Sequence, residues 1–177
     1  MSLVALASAR AQADDDFTSE FEHRPTAIFL QFGLGTPIGL AGLEFERMLA
    51  PGMAISAGGG YSEAGGQVAA MPRFFFWGDR SKVFIGAGVS GGDYKWTKYC
   101  YEEICAEKRG RVMWGNAELG AEHRFRSGFA MRYFGGYGRI IGGNLTCVGN
   151  TSDDCMRFDQ NSGRELVYTG FALGGAF

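Results

Sequence analysis

The sequence predicts an all-β protein, an eight-stranded antiparallel up-and-down barrel that crosses a membrane on its strands. Three observations predict it. From residue 27 onward, apolar residues recur at alternate positions in eight segments with turn residues between them. One face of each segment is aliphatic or aromatic, and the other collects acids, arginines, glycines and large rings. The connections alternate in length, with tight turns after segments 2, 4 and 6 and long polar stretches after segments 5 and 7. No apolar run reaches the roughly 18 residues of a membrane-spanning helix. That does not bear on a barrel, whose strands need only one apolar face.

The first strand covers about 27–36, with Ile28, Leu30, Phe32 and Leu34 on one side. The second, about 39–48, presents Ala41, Leu43 and Phe45, and the third, about 53–62, Met53, Ile55, Ala57 and Tyr61. The fourth, about 66–77, presents Val68, Ala70, Phe74 and Phe76, and the fifth, about 82–94, Val83, Ile85, Ala87 and Val89. The sixth, about 110–124, carries Met113, Ala117, Leu119 and Ala121. The seventh, about 127–140, carries Phe129, Met131, Tyr133 and Tyr137, and the eighth, about 164–177, Val167, Phe171, Leu173 and Phe177. Tight turns are expected at Leu49-Ala50-Pro51-Gly52, Gly78-Asp79-Arg80-Ser81 and Phe125-Arg126, and long loops at 95–109 and 141–163. Within lipid no water can satisfy a sheet edge, so the sheet must close. Pro72 lacks a backbone donor, and a bulge or weak spot in the ladder is expected there.

The opposite face bears the chemistry. Glu44, Glu46, Arg73, Glu118, Glu122 and Arg132 all fall in the half of the barrel nearest the tight turns. The other half is lined by glycines, among them Gly33, Gly35, Gly58, Gly60, Gly88, Gly136, Gly138 and Gly170, with Trp114 and Tyr168. The expectation is a lower plug of ion pairs that floors an upper vestibule. A buried charge is tolerated only when paired. Four carboxylates against two arginines leave a deficit, to be met by Lys82 or by a protonated glutamate. The cluster is either a static interior or a gate or ligand site, and the residues alone leave both open.

The 29 glycines would suit a low-complexity chain, but here they alternate with apolar residues and four prolines are few. A net charge of −2 lacks the basic surface of a nucleic-acid binder. Leu3-Val4-Ala5-Leu6-Ala7, Ala11-Gln12-Ala13 and the following three aspartates read as a signal-peptide remnant over 1–13, which leaves an N-terminal tail over 14–24 and a barrel over 25–177. Cys100, Cys105, Cys147 and Cys155 lie in the two longest polar segments. Their spacings fit zinc ribbons poorly, so disulfides are expected, with local pairs 100–105 and 147–155 favoured and a cross-loop pairing open. No metal or cofactor is expected. Asp153, Asp154, Asp159 and Asn161 match no calcium loop.

At the last strand, Val167-Tyr168-Thr169-Gly170-Phe171-Ala172-Leu173-Gly174-Gly175-Ala176-Phe177 resembles the C-terminal targeting strand of outer-membrane barrels. Gly175 departs from that pattern, which prefers a larger residue. The chain from about 25 to 177 resembles the OmpA/OmpX class of eight-stranded barrels in strand count and loop asymmetry. The resemblance implies the outer membrane of a Gram-negative bacterium, with a periplasmic end at the tight turns. It implies outer-membrane lipid and lipopolysaccharide as neighbours, and recognition of Val167, Phe171, Leu173 and Phe177 by the barrel-assembly machinery. Tyr61, Phe74, Phe76, Phe125, Phe129, Tyr137 and Phe177 would form aromatic girdles at the interfaces. Arg109, Arg111 and Arg139 either meet lipopolysaccharide phosphates or are simply solvated.

The leading expectation is an integral barrel of structural or surface-interaction type displaying two disulfide-braced outer loops. It needs no partner subunit. The alternative is a narrow channel or small-ligand barrel using the vestibule. Catalysis on lipid A is disfavoured, because His23 precedes the first strand and His123 faces outward with no evident serine and carboxylate partners. A soluble lipocalin-like binder would need the reverse arrangement, apolar inside and polar outside.

Overall fold

Alternate side chains point to opposite faces of a strand, so a chain with one aliphatic and one mixed face must put each against a different medium. The computed structural model describes residues 20–78, 80–100, 103–149 and 164–177. A short helix α1 (Glu20–His23) precedes β1 (Thr26–Thr36), β2 (Gly39–Ala50), β3 (Met53–Ser62), β4 (Gly65–Phe76), β5 (Ser81–Cys100), β6 (Glu103–Arg124), β7 (Phe129–Gly149) and β8 (Glu165–Ala176). Each strand pairs antiparallel with the next, and β8 closes on β1 through partners such as Leu30↔Leu173. Reciprocal hydrogen bonds between Thr26 and Phe177 extend the seam below β8.

The faces are those of a lipid-embedded barrel. Leu30, Phe45, Ile85 and Leu119 are 49–58% exposed on the outside, whereas Glu44, Glu118 and Arg132 are buried inside. The lipocalin arrangement is the reverse and does not describe this chain. An eight-stranded barrel has an interior that side chains can just fill. Here Phe21, Phe75, Phe84, Phe134 and Tyr168 form a buried aromatic column, with ring centroids 5.3 Å apart for Phe21 and Phe75 and 5.4 Å for Phe75 and Phe84.

The turns follow local chemistry. Pro51 presets its own φ, and Gly52 takes the positive φ of 75° that such a tight reversal requires. Phe75 donates its N–H to the Gly52 carbonyl at 2.7 Å. After β4 the chain reverses with Trp77 at φ 57° and Gly78 at φ 83°, an uncommon conformation for a bulky residue.

Two expectations are corrected. The polar stretch 95–109 is not a loop, since β5 runs to Cys100 and β6 starts at Glu103. Pairs such as Asp93↔Arg111, Lys95↔Arg109 and Trp96↔Lys108 continue the ladder beyond the apolar band. Likewise β7 continues to Gly149, and the remainder of the second long segment, 150–163, lies outside the described residues. Strands β5, β6 and β7 are 20, 22 and 21 residues long, about twice the 9–11 that span a bilayer. The surplus raises a three-stranded wall on the order of 30 Å above the outer rim. A bulge between Met113 and Trp114 changes the β6–β7 register as the wall begins. At Pro72 the expected weak spot is present, as a gap in the ladder rather than a bulge. The ladder with β5 skips Met71 and Pro72 and resumes in the same register at Arg73↔Gly86.

Candidate functional site

The lower lumen is crossed by a layer of ion pairs built from β2, β4, β6 and β7. Arg73 forks onto Glu44, with Nη1–Oε1 at 2.6 Å and Nη2–Oε2 at 3.0 Å, and its Nε donates to Glu118 at 2.5 Å. It reaches Glu118 across β5 because Gly86 lies between them in register. A Cβ at Gly86 would stand 3.0 Å from Cγ of Glu118 and 3.1 Å from the sulfur of Met71. Arg132 donates through Nε to Glu122 at 2.8 Å and through Nη2 to Glu46 at 2.5 Å, while its Nη1 pairs with Glu44. All six residues expected in the network are therefore brought into one connected, buried cluster.

A seventh member completes it. Arg124 is fully buried and donates to Glu122 at 2.7 Å and to Glu46 at 2.8 Å. It also donates to the backbone carbonyl of Arg24. Lys82 sits opposite Glu122 in register, and its ammonium lies 4.9 Å from the centre of the Phe21 ring. The charge deficit is therefore one smaller than the sequence pattern implies. Arg124 has the same parity as Glu118 and Glu122, but it borders the turn, where the alternation of faces ends. Rings stack on the guanidinium groups, with Arg132 4.2 Å from Phe29 and Arg124 4.2 Å from Phe21.

Phe21 seals the layer from below. It projects from α1 into the barrel mouth at the tight-turn end and is wholly buried between Phe75, Lys82 and Arg124. Arg24 ties the same segment to the opposite rim by donating to the Arg126 carbonyl at 2.7 Å, and Met48 N–H donates to the Pro25 carbonyl at 2.7 Å. The sequence signals none of this, because one aromatic in a polar tail has no periodicity.

Above the ion pairs, Tyr168 and Phe134 roof the layer, and the Tyr168 hydroxyl donates to the Ala117 carbonyl at 3.2 Å. A cavity of about 230 Å³ then opens outward, with both Trp114 and Tyr168 in its lining. The glycines line it less than expected. Gly35 and Gly138 do, but the space over Gly170 is taken by the Phe134 ring and that over Gly136 by Tyr168. From the first outer turn Ile38 folds inward and is buried against Gly42.

The remaining candidates are dispersed. Val167, Phe171, Leu173 and Phe177 are exposed on the lipid face, as are Tyr61, Phe74, Phe125, Phe129 and Tyr137, whereas Phe76 is half-buried against Trp77. Arg109, Arg111 and Arg139 lie on the outer surface, each beside a carboxylate: Glu107, Asp93 at 3.5 Å and Glu165 at 3.9 Å. Contrary to the expectation, a serine does meet His123. The Ser81 hydroxyl lies 2.5 Å from Nδ1, and the Phe125 ring is 4.2 Å away. Of the cysteines, Cys155 lies outside the described residues, as do the side chains of Cys100 and Cys105; Cys147 lies in β7 opposite Lys108.

Two solved structures share this architecture. The N-terminal β-barrel domain of Pseudomonas aeruginosa OprF aligns over 87% of this chain and 98% of its own, with a TM-score of 0.52 and 14% identity. Acinetobacter baumannii CarO aligns over 86% of this chain and 98% of its own, with a TM-score of 0.52 and 11% identity. The fold is that of a small OmpA-like barrel. No protein-family model matches the chain, and no curated sequence does.

Proposed function

We propose that this chain is an integral barrel of the Gram-negative outer membrane that does not conduct. It acts as a structural and surface-presenting element rather than as a pore or an enzyme. The observation that carries the reading is the cross-section itself. Seven charged side chains from four strands and the Phe21 ring occupy the lower lumen, each no more than 6% exposed, and the charged groups are joined to one another by contacts of 2.5–3.1 Å. The exposed apolar belt supports insertion in lipid, with Val167, Phe171, Leu173 and Phe177 as the strand offered to the assembly machinery. The tall β5–β7 wall is the part presented outside. The pairs Cys100–Cys105 and Cys147–Cys155 would brace its upper end, which requires export to an oxidising compartment and so agrees with a signal peptide. Arg109, Arg111 and Arg139 lie where lipopolysaccharide phosphates would meet them.

Catalysis is not part of this reading. The Ser81–His123 contact supplies two members of a triad, but among the described residues no carboxylate pairs with His123. The test is planar-bilayer recording of the refolded full chain. Silence, or only rare brief events, is expected, and a large, steadily open conductance refutes the sealed-lumen reading. A second reading, a small-ligand site in the vestibule, is favoured by the outward-opening cavity over that seal.

A further inference from the structure

The cavity above the plug has a floor, a wall and a rim of different chemistry, and together they select a ligand class. The floor is Asn116 and Ser90, which retain only 8% and 6% exposure. Asn116 Nδ2 donates to Ser90 Oγ at 2.9 Å, which leaves the amide Oδ1 as an acceptor with no partner among the described residues. That oxygen is not sealed off, since among the described residues no fully buried side-chain polar atom lacks a partner. Gly138 leaves room beside it, for a Cβ there would stand 3.0 Å from Oδ1. The floor therefore presents an amide acceptor and a serine hydroxyl, both nine-tenths buried and both lining the cavity. Groups so placed bond water, and a ligand that displaces that water must supply the hydrogen bonds in its stead.

The wall is an aromatic corner. The Tyr94 and Trp114 rings stand 5.9 Å apart, tilted by 51°, and both line the cavity. Such faces attract either C–H groups or cations. The rim decides between them. It holds Glu63, Asp93, Glu165 and Lys95, but Asp93 lies 3.5 Å from Arg111, Glu165 lies 3.9 Å from Arg139, and Lys95 lies 3.6 Å from Glu107. With three of the four rim charges answered by outer-face partners, little net field remains to capture an ion. A purely apolar ligand would leave the Asn116–Ser90 floor unsatisfied. The volume of about 230 Å³ lies below the range of roughly 300 Å³ upward typical of drug-sized ligands, which points to one small ring.

We propose that the vestibule binds a neutral hexose ring, stacked on Trp114 and Tyr94 and hydrogen-bonded through Asn116 and Ser90. The inference rests on the reading of the vestibule as a ligand site. The ring has two possible sources with the same chemistry, a sugar of the surrounding lipopolysaccharide or a free sugar outside the cell.

The test uses the full chain refolded in nanodiscs free of lipopolysaccharide, with saturation-transfer NMR as the readout. The probes are glucose, galactose and mannose, a delipidated lipopolysaccharide oligosaccharide, and tetramethylammonium. Transfer to a hexose ring is expected. Trp114→Ala and Asn116→Leu should each weaken it about tenfold or more, while Trp114→Phe keeps most of it. The mobility shift between unheated and heated gel samples shows that each variant is folded. Preferential transfer to the oligosaccharide supports the proposal with the membrane as source, and preferential transfer to a monosaccharide supports it with a free sugar. Transfer to tetramethylammonium alone overturns the sugar but leaves a ligand site standing. Silence with every probe overturns both, and so does sugar binding that neither Trp114→Ala nor Asn116→Leu weakens.

Discussion

Replacing Arg124 by methionine removes three charge-assisted hydrogen bonds at once while keeping an unbranched apolar stem. The guanidinium donates to Glu122 at 2.7 Å, to Glu46 at 2.8 Å and to the Arg24 carbonyl. With it present, four glutamates face three arginines; without it, four face two. Breaking a buried pair from one side typically costs about 3–5 kcal/mol, because the partner is left charged and unanswered. Glu46 and Glu122 both keep Arg132, which places this case near the lower end, about 3 kcal/mol. That corresponds to about a hundredfold shift of the unfolding equilibrium. The assay is reversible urea unfolding in lipid vesicles, followed by tryptophan fluorescence and by the fraction that keeps folded mobility on unheated gels. Adding Glu122→Gln to Arg124→Met should recover part of the loss, a coupling that a double-mutant cycle measures directly. A cost below about 1 kcal/mol, the level of an exposed pair, would refute the claim that this layer is a dry and mutually dependent unit.

Two further outcomes follow from the same geometry. Phe21→Ala should cost about 3 kcal/mol or more, since the ring is wholly buried against Phe75, Lys82 and Arg124, and hydrogen exchange should rise at the lower ends of β4 and β6. An unchanged melting profile would show that α1 does not hold the mouth shut. Leu119→Arg places a charge on the lipid face and should cost about 2–4 kcal/mol in vesicles if Leu119 sits near the midplane. A neutral effect would mean that this face does not meet hydrocarbon.

Parity carries most of the site. A period of two by itself assigns Glu44 and Glu46, Arg73, Glu118 and Glu122, and Arg132 to one face, and all six point into the lumen. Arg124 obeys the same rule and is legible in principle; its place beside the Phe125 turn obscures it. Phe21 and Ile38 are not legible. Both lie outside the alternating segments, and each is buried by space that other elements leave, under the barrel for Phe21 and over Gly42 for Ile38. Strand ends are hard to read for a physical reason. The change to Lys95, Arg109 and Arg111 marks where the apolar band ends, whereas the ladder stops only where pairing does, some residues further on. The Ser81–His123 contact is hidden because it depends on the β5–β6 register, and the two residues stand 42 apart in the chain.

The ion pairs also bear on how one register is selected. A slip of one residue between neighbouring strands turns every side chain to the wrong face, so the apolar belt alone forbids it. A slip of two restores the parity, and a uniform lipid-facing surface hardly distinguishes the result. The lumen does distinguish it. Glu122 lies directly opposite Arg132, and Arg73, Gly86 and Glu118 share one level across three strands. Moving β4 by two residues shifts Arg73 by about 7 Å. It would then leave Glu118 and Glu44, now 2.5 and 2.6 Å away, and would no longer cross β5 over Gly86 at the level of Glu118. The cost of stranding charges of both signs in a closed interior is several kcal/mol for each. In a protein whose greasy surface faces outward, register discrimination of this kind has to come from the inside, and here it falls to the ion-pair layer across the lower lumen.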